Sequence, residues 1–406
     1  MEGIIADLHI HSRYSRATSK DLSIENLVKY SKIKGVSLLG TGDFTHPLWL
    51  LEIKQKLKTT GNGIYYYEDF PFVLSSEISL VFSDNGKGRR VHLLLLAPSL
   101  EIVEQIRSYL LKKGRLDYDG RPIFGISCEE FAHDLFSISK DIEIIPAHAW
   151  TPWFGVFGSM SGFDALKDAF KSQAKNIHAI ETGMSSDPAM NWRISELNDR
   201  TIVSFSDAHS FWPFRLGREA TIFDIEKDKL TYNKMISQIR ENSISGTIET
   251  SPPYGKYHYD GHRACNFSCS PKEAKKINNI CPVCNKPLTI GVEHRVEEIA
   301  DKPEGFKPSN AKNFYSLLPL QEVISMIKGV SVGSLRVWNE YNKMINAFGN
   351  ELDILLSVEH GNLARVTEEK IADAIISNRN GKIKVLPGYD GVYGKATLTD
   401  TQKRLF

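Results

Sequence analysis

Ala6-Asp7-Leu8-His9-Ile10-His11 closes the first apolar run of the chain. In an extended strand, side chains two positions apart share a face, so this spacing turns Asp7, His9 and His11 the same way. Two imidazoles and a carboxylate along one edge make a chelating set for a borderline cation such as zinc or manganese. One Asp-x-His-x-His string fits a polar turn equally well. Its recurrence decides: six further apolar runs each carry or lead into metal-type residues.

The seven runs are 3–8, 36–40, 72–76, 91–96, 142–146, 177–180 and 202–205. Helix-period segments separate most of them. Segment 22–34 opens behind Asp21 or Ser23 and stops at Gly35. Segments 49–59 and 102–113 carry apolar residues at three- and four-residue steps, and 131–138 follows a capping-box spacing at Ser127–Glu130. Segments 162–173 and 188–198 read as two more helices. Strand alternating with helix predicts an α/β fold, either a parallel sheet or a closed barrel. In such barrels chemistry gathers at the carboxyl ends of the strands. The second run leads to Asp43 and His46, the third ends at Glu77, and the fourth carries His92. The fifth runs into His148, the sixth into Glu181, and the seventh into Asp207 and His209. Any one of these is more often a core or loop residue. All seven together predict a polynuclear metal centre.

The 406 residues suit two or three domains. Lys+Arg 50 against Asp+Glu 49 leaves net +1, so a basic surface for nucleic acid has to be local. No apolar run reaches the ~20 residues that span a bilayer. The start also lacks a charged, apolar signal segment, which reads as a cytoplasmic protein. Four of the five cysteines form Cys265-x3-Cys269-x11-Cys281-x2-Cys284. In that compartment this spacing predicts a structural zinc held by four thiolates, not two disulfides. Cys128 reads as core, and His258 and His262 as surface, with spare ligands as the alternative. Lys272, Lys275, Lys276 and His294-Arg295 give this module a basic edge. An amphipathic helix near 229–241 leads into it, and 320–327, 334–348 and 368–378 read as helices beyond it. Three units follow: 1–225, 226–300 and 301–406.

Asp7-x-His9-x-His11, Asp43/His46, Glu77, His92, His148 and Asp207-x-His209 together resemble the polymerase-and-histidinol-phosphatase (PHP) family. That resemblance implies a distorted (β/α)7 barrel over roughly residues 1–220, with metal-dependent phosphoesterase activity. It further implies a three-metal cluster. His9, His11, Glu77 and Asp207 would hold one ion; Glu77, His92 and His148 a second; His46 and His209, with Asp43, a third. The His or acid that many members place after the His-x-His pair has no counterpart in Tyr14-Ser15-Arg16-Ala17-Thr18. Closely spaced cations of this kind activate water and neutralise phosphodiester oxygens without a protein nucleophile. Asp207, Glu77 and His9 are the expected catalytic residues. Mg²⁺ or Mn²⁺ is the expected activating ion, with zinc in the cysteine module and in the active site.

Two ligand-following loops carry aromatics: Trp150, Trp153 and Phe154 after His148, and Trp212 with Arg215 after His209. They are candidates for stacking on bases, and Arg13, Arg16, Arg89 and Arg90 for pairing with phosphate. The order of barrel, four-cysteine module and helical tail resembles, more narrowly, the endonuclease Q family. That resemblance implies incision of damaged double- or single-stranded DNA on the 5′ side of uracil, hypoxanthine, xanthine or abasic sites, with the damaged base flipped into a pocket. A sliding clamp is a candidate partner, and a monomer is the expected state. The alternatives are a small-molecule phosphatase of the histidinol-phosphate type and a non-catalytic DNA-binding scaffold. The first does not need a zinc module, and the second would be marked by missing ligands.

Overall fold

A computed structural model describes residues 3–397; the outermost residues of the first and third expected units, 1–2 and 398–406, lie outside the described residues. All seven expected strands are present. Ile4–Asp7, Leu38–Gly40 and Phe70–Asp84 pair in parallel, with Ala6 opposite Leu38 and Leu39 opposite Phe72. Phe70–Asp84 then pairs antiparallel with Lys87–Ala97, and Glu143–Pro146 pairs antiparallel with Lys87–Ala97. Asn85 and Gly86 explain the hairpin: both take positive φ, 50° and 75°, as a two-residue turn between twisted strands requires. Strands joined so tightly have no room for a crossover helix, so the sheet is mixed.

Ala179–Glu181 and Thr201–Val203 form a separate parallel pair. On the other edge Ile4–Asp7 meets Ala220–Phe223, followed by Gly246–Glu249 and Asn313–Ser316. Each of the seven expected strands gives one buried side chain to a single cluster: Ala6, Leu38, Val73, Leu94, Ile145, Ala179 and Val203. They share one interior, through which Lys87–Ala97 runs against its neighbours Phe70–Asp84 and Glu143–Pro146. A single bridge, Ile10 to Ala208, draws the first and seventh strand ends together.

The helix Ile24–Lys34 is capped as its sequence predicts. Ser23 accepts a hydrogen bond from the Asn26 N–H, and Gly35 closes the helix at φ 98°. Segment 188–198 is shorter than expected, with helix only at Pro188–Asn191. The Asn191 side chain turns back to donate to the Asp187 carbonyl and Ser186 Oγ, competing with the helical ladder. Segment 162–173 breaks at Lys171, whose φ is 45°. Among the described residues no helix is long and apolar enough to cross a membrane.

Five helices, from Leu320–Lys328 to Glu369–Arg379, pack one apolar cluster that reaches the sheet through Ala220, Ile222 and Ile248. Lys34 ties this bundle to the first helix. Its Nζ lies 2.6 Å from Glu351 Oε1 and 2.8 Å from the Pro213 carbonyl, and both side chains are buried. Glu351 also accepts from the Leu320 N–H and Tyr341 Oη. Glu351→Ala leaves an unpaired buried ammonium and is expected to destabilise by about 3–5 kcal/mol. A urea melt reads this directly; pairing it with Lys34→Met should restore much of the loss.

A second buried cluster sits under the sheet edge. Ser204 Oγ lies 3.0 Å from Glu249 Oε2 and 3.5 Å from Glu219 Oε2. Burial pushes Glu219 up to about 8, and burial with the Glu219 charge pushes Glu249 up as well. Folded carboxyls that hold their protons more tightly than the unfolded chain lose stability as pH rises from the ordinary glutamate value toward about 8. Each proton contributes a slope of up to about 1.4 kcal/mol per pH unit. Glu249→Gln, which mimics the protonated form, is expected to flatten that decline in melts between pH 5 and 8.

Candidate metal centre

The metal-type residues converge from just past strand ends and, for Glu77 and His92, from the middle of Phe70–Asp84 and Lys87–Ala97. Donor atoms of His9, His11, Glu77 and Asp207 lie within 4.8 Å of one another, and so do those of Glu77, His92 and His148. Glu77 belongs to both sets and divides its oxygens between them. Oε1 lies 2.7 Å from His92 Nδ1 and 3.1 Å from His148 Nε2. Oε2 lies 3.2 Å from His11 Nε2 and 3.5 Å from His9 Nε2. Asp207 Oδ1 closes the first set, 3.0 Å from His11 Nε2 and 3.6 Å from His9 Nε2. Glu77 thus presents one oxygen to each donor set.

The far ring nitrogens are fixed by carboxylates. Glu181 holds His9 Nδ1 at 2.9 Å, and Asp43 holds His11 Nδ1 at 3.0 Å. A proton on each Nδ1 leaves the Nε2 lone pair facing the centre, the tautomer a metal ligand needs. His9 Nε2 is buried with no hydrogen-bond partner, as expected of an atom shaped for an ion. Glu181 also accepts the His148 backbone N–H at 2.6 Å, so one carboxylate sets both ligands. Burial raises the Glu77 carboxyl, but His92, Arg121 and His9 outweigh it and hold it well below its usual range. Burial lowers His92 to about 4, so it is neutral and able to ligate.

Three expected site residues stand outside both sets. Asp43, expected as a ligand, lies behind His11, its oxygens taken by the Ser12 N–H, Ser12 Oγ and Ser15 Oγ. His46 is the cap residue of Pro47–Lys56 and stacks on Tyr14 with ring centroids 4.5 Å apart. His209 packs 4.5 Å from the His11 ring and donates from Nδ1 to the Asp207 carbonyl. Among the described residues no group of three mutually close donors includes Asp43, His46 or His209. Asp7 likewise leaves the chelating edge expected of it. The strand ends there, and its carboxylate accepts from the Ser206 N–H, Ser206 Oγ and the Gly217 N–H. Asp43, His148 and Asp207 have φ of 44°, 31° and 48°, so the backbone is strained where the side chains are aimed.

Arg121 carried no expectation, yet its Nη1 lies 3.0 Å from Glu77 Oε2. It comes from a connecting loop rather than a strand end, so the strand-end rule passes over it. The expected nucleic-acid contacts divide. Trp150 is fully buried and donates from Nε1 to Asn191 Oδ1 at 2.7 Å, so it is core. Trp212 packs between Tyr30, Phe211 and Trp338, joining the rim to the helical bundle. Arg13 pairs with Glu52 at 2.8 Å, and Arg89 bonds the Gly162 carbonyl and covers the Phe163 ring. Arg16 is exposed beside Asp119. Trp153 and Phe154 each have the Arg90 guanidinium within 6 Å of the ring. They line a cavity of about 240 Å³ with His92, His148 and Asp207. Its other wall is Arg218, Lys256, Tyr257 and Tyr393, and Arg215 lies over the Tyr393 ring.

The four clustered cysteines pack together beneath Pro271–Lys276 with Ala274 and Leu288. Within that cluster the mutually close donors are Cys265, Cys281, Cys284 and His262, within 4.8 Å. Cys269 lies outside this set although it was expected in it, and His262, expected as surface, lies inside.

Residues 319–382 match the family model of the MJ0043 C-terminal domain. The protein MJ0043 of Methanocaldococcus jannaschii is 31% identical over 297 residues, covering 71% of this chain but 35% of its own length. The chain thus spans about a third of that relative. The crystal structure of the lesion-specific endonuclease PfuEndoQ from Pyrococcus furiosus is 31% identical and superposes with a TM-score of 0.87, covering 99% of this chain and 97% of that one. A structure of endonuclease Q with a 27-mer duplex bearing an abasic lesion at the active site matches at 31% identity and TM-score 0.88, over 99% and 98%. Likeness at this identity runs from the metal rim through the cysteine module to the last described helices, and it places the chain in the endonuclease Q family.

Proposed function

We propose that this chain is a metal-dependent DNA repair endonuclease, cutting a phosphodiester on the 5′ side of a deaminated base or abasic site. The observation that carries this reading is the near full-length likeness to an endonuclease Q holding an abasic duplex at its active site. The donor sets converging on Glu77 supply the chemistry. On this reading, residues 1–225 form a distorted (β/α)7 barrel, 226–300 the zinc module, and 301–406 a helical DNA-contacting unit.

His9, His11 and Asp207 would hold one ion and His92 and His148 another, with Glu77 belonging to both donor sets. Zinc, or Mg²⁺ or Mn²⁺ during turnover, suits this mixture of imidazole and carboxylate donors. Such cations lower the pKa of water and neutralise charge on the phosphodiester oxygens. Glu181 and Asp43 keep the imidazoles in the ligating tautomer. Arg121 pairs with Glu77 through Nη1, and its guanidinium is the group we assign to a phosphate oxygen. Trp153, Phe154, Tyr257 and Tyr393 flank a slot next to the ligands, wide enough for an extruded base.

Glu181→Gln keeps the shape but weakens the hold on His9, and is expected to lower metal affinity about 10–100-fold. A Mn²⁺ titration of the folded protein measures this. The reading as a whole is tested with a labelled duplex carrying one abasic site beside a small phosphomonoester, in Mg²⁺ or Mn²⁺. Strand incision without phosphate release is expected. Phosphate release without incision would favour the small-molecule phosphatase instead.

A further inference from the structure

The cysteine module offers five donors to an ion that takes four. Two of its turns share a residue spacing, though their closing bonds differ. Cys281-Pro282-Val283-Cys284 closes with the Asn285 N–H bonded to the Cys281 carbonyl, and Asn285 takes φ 58°. His262-Arg263-Ala264-Cys265 closes with the Asn266 N–H bonded to the Arg263 carbonyl, and Asn266 takes φ 49°. In both, two ligand-type residues stand three apart, and an asparagine in the left-handed region reverses the chain after the second. The two knuckles match in spacing and in the left-handed asparagine, and the first begins with histidine.

The distances agree with the backbone. His262 Nδ1 lies 3.4 Å from Cys284 Sγ, and one donor from each of His262, Cys265, Cys281 and Cys284 lies within 4.8 Å of the others. A tetrahedral ion with bonds of ~2.3 Å to sulfur and ~2.0 Å to nitrogen spaces its donors roughly 3.5–3.8 Å apart. Cys269 sits differently. It follows the reversal at Asn266, inside the strand Phe267–Cys269, directly opposite Asp260. Asp260 is fixed in place by the Gly291 N–H at 2.6 Å and His294 Nδ1 at 2.7 Å, which anchors this end of the hairpin. The Cys269 side chain packs as a small apolar group with Ala274, Cys281 and Leu288, beside the donor set but outside its mutual reach.

We propose that the module binds zinc through His262 Nδ1 and the thiolates of Cys265, Cys281 and Cys284, leaving Cys269 a buried free thiol. The site is then a three-sulfur, one-nitrogen shell of net charge −1, in place of the four-thiolate shell of charge −2 that the cysteine spacing suggests. This assignment is independent of the active-site reading.

The test uses the full chain, loaded with zinc or with cobalt(II), and reads differences between variants so that metal in the active site cancels. Cys269→Ser is expected to keep the wild-type zinc content, melting profile and cobalt spectrum. His262→Ala is expected to lose one zinc equivalent. Should that variant fail to fold, His262→Cys decides: it is expected to regain the full zinc content with a cobalt spectrum changed toward four sulfurs. Loss of one zinc equivalent in Cys269→Ser would overturn the assignment. So would a His262→Cys spectrum identical to wild type.

Discussion

Asp207→Asn is expected to lower DNA cleavage by about a thousandfold or more, because a ligand to the ion supplies several kcal/mol of transition-state stabilisation. The change removes a charge with almost no change in shape. Asp207 occupies the left-handed region at φ 48°, and asparagine tolerates that region as readily as aspartate. Its carboxylate is held well below the usual range: burial pushes it up, and His209, His11 and His9 pull it down further. An amide cannot replace that charge among three imidazoles. The fold depends on the residue far less, since Asp7 and not Asp207 ties Ser206 and Gly217 to the first strand. Single-turnover cleavage should therefore collapse while the melting temperature and DNA anisotropy titration stay near wild type. Loss of DNA binding together with activity would mean that Asp207 holds the substrate rather than the ion.

The largest effect on stability is expected from replacing Cys281 and Cys284 together by serine. The buried apolar core of the module is Cys269, Ala274, Cys281 and Leu288, too small to order the segment unaided. Structural zinc contributes about 10–16 kcal/mol of apparent binding energy in isolated zinc-finger peptides, and there the binding is the folding. The double variant should lose one zinc equivalent and show an early unfolding transition for this segment, with the main sheet melting later. Wild-type melting with full zinc content would show that neither thiolate ligates. The prediction holds for both ligand sets, since Cys281 and Cys284 belong to each.

Much of the site was legible because metal ligands obey a rule visible in letters. They follow apolar strand runs, and the runs share an interior. His9, His11, Glu77, His92, His148 and Asp207 all meet where that rule places them. Asp43 obeys the same rule yet supports His11 from behind, because a positive φ turns its carboxylate toward Ser12 and Ser15. No spacing of residues announces that turn. Glu181 was visible as a strand end, but its partner His9 is 172 positions away, and only the folded chain joins them.

Aromatic loops were the least legible feature. Trp150 and Trp153 lie three residues apart after the same ligand, and one is core while the other borders the cavity. A tryptophan with a buried partner for its indole N–H, here Asn191, goes inside; without one it stays at the edge. The partner sits on a helix 41 positions away, beyond any local pattern. Arg121 was hidden for a similar reason, since a loop arginine among charged neighbours reads as solvated until its carboxylate is located. The antiparallel hairpin was the reverse case. It follows from the local Asn85-Gly86 turn alone, and it makes the sheet mixed where strand alternating with helix predicted a parallel sheet or a closed barrel.

The most direct test is to map the incision at nucleotide resolution. End-labelled duplexes would carry one deoxyuridine, one deoxyinosine, one abasic site or no lesion, in Mg²⁺ or Mn²⁺, with Asp207→Asn as the control. A single cut on the 5′ side of each lesion, absent from the undamaged duplex and from the variant, is the expected result. Equal cutting of damaged and undamaged DNA, or cutting that survives in Asp207→Asn, would contradict it.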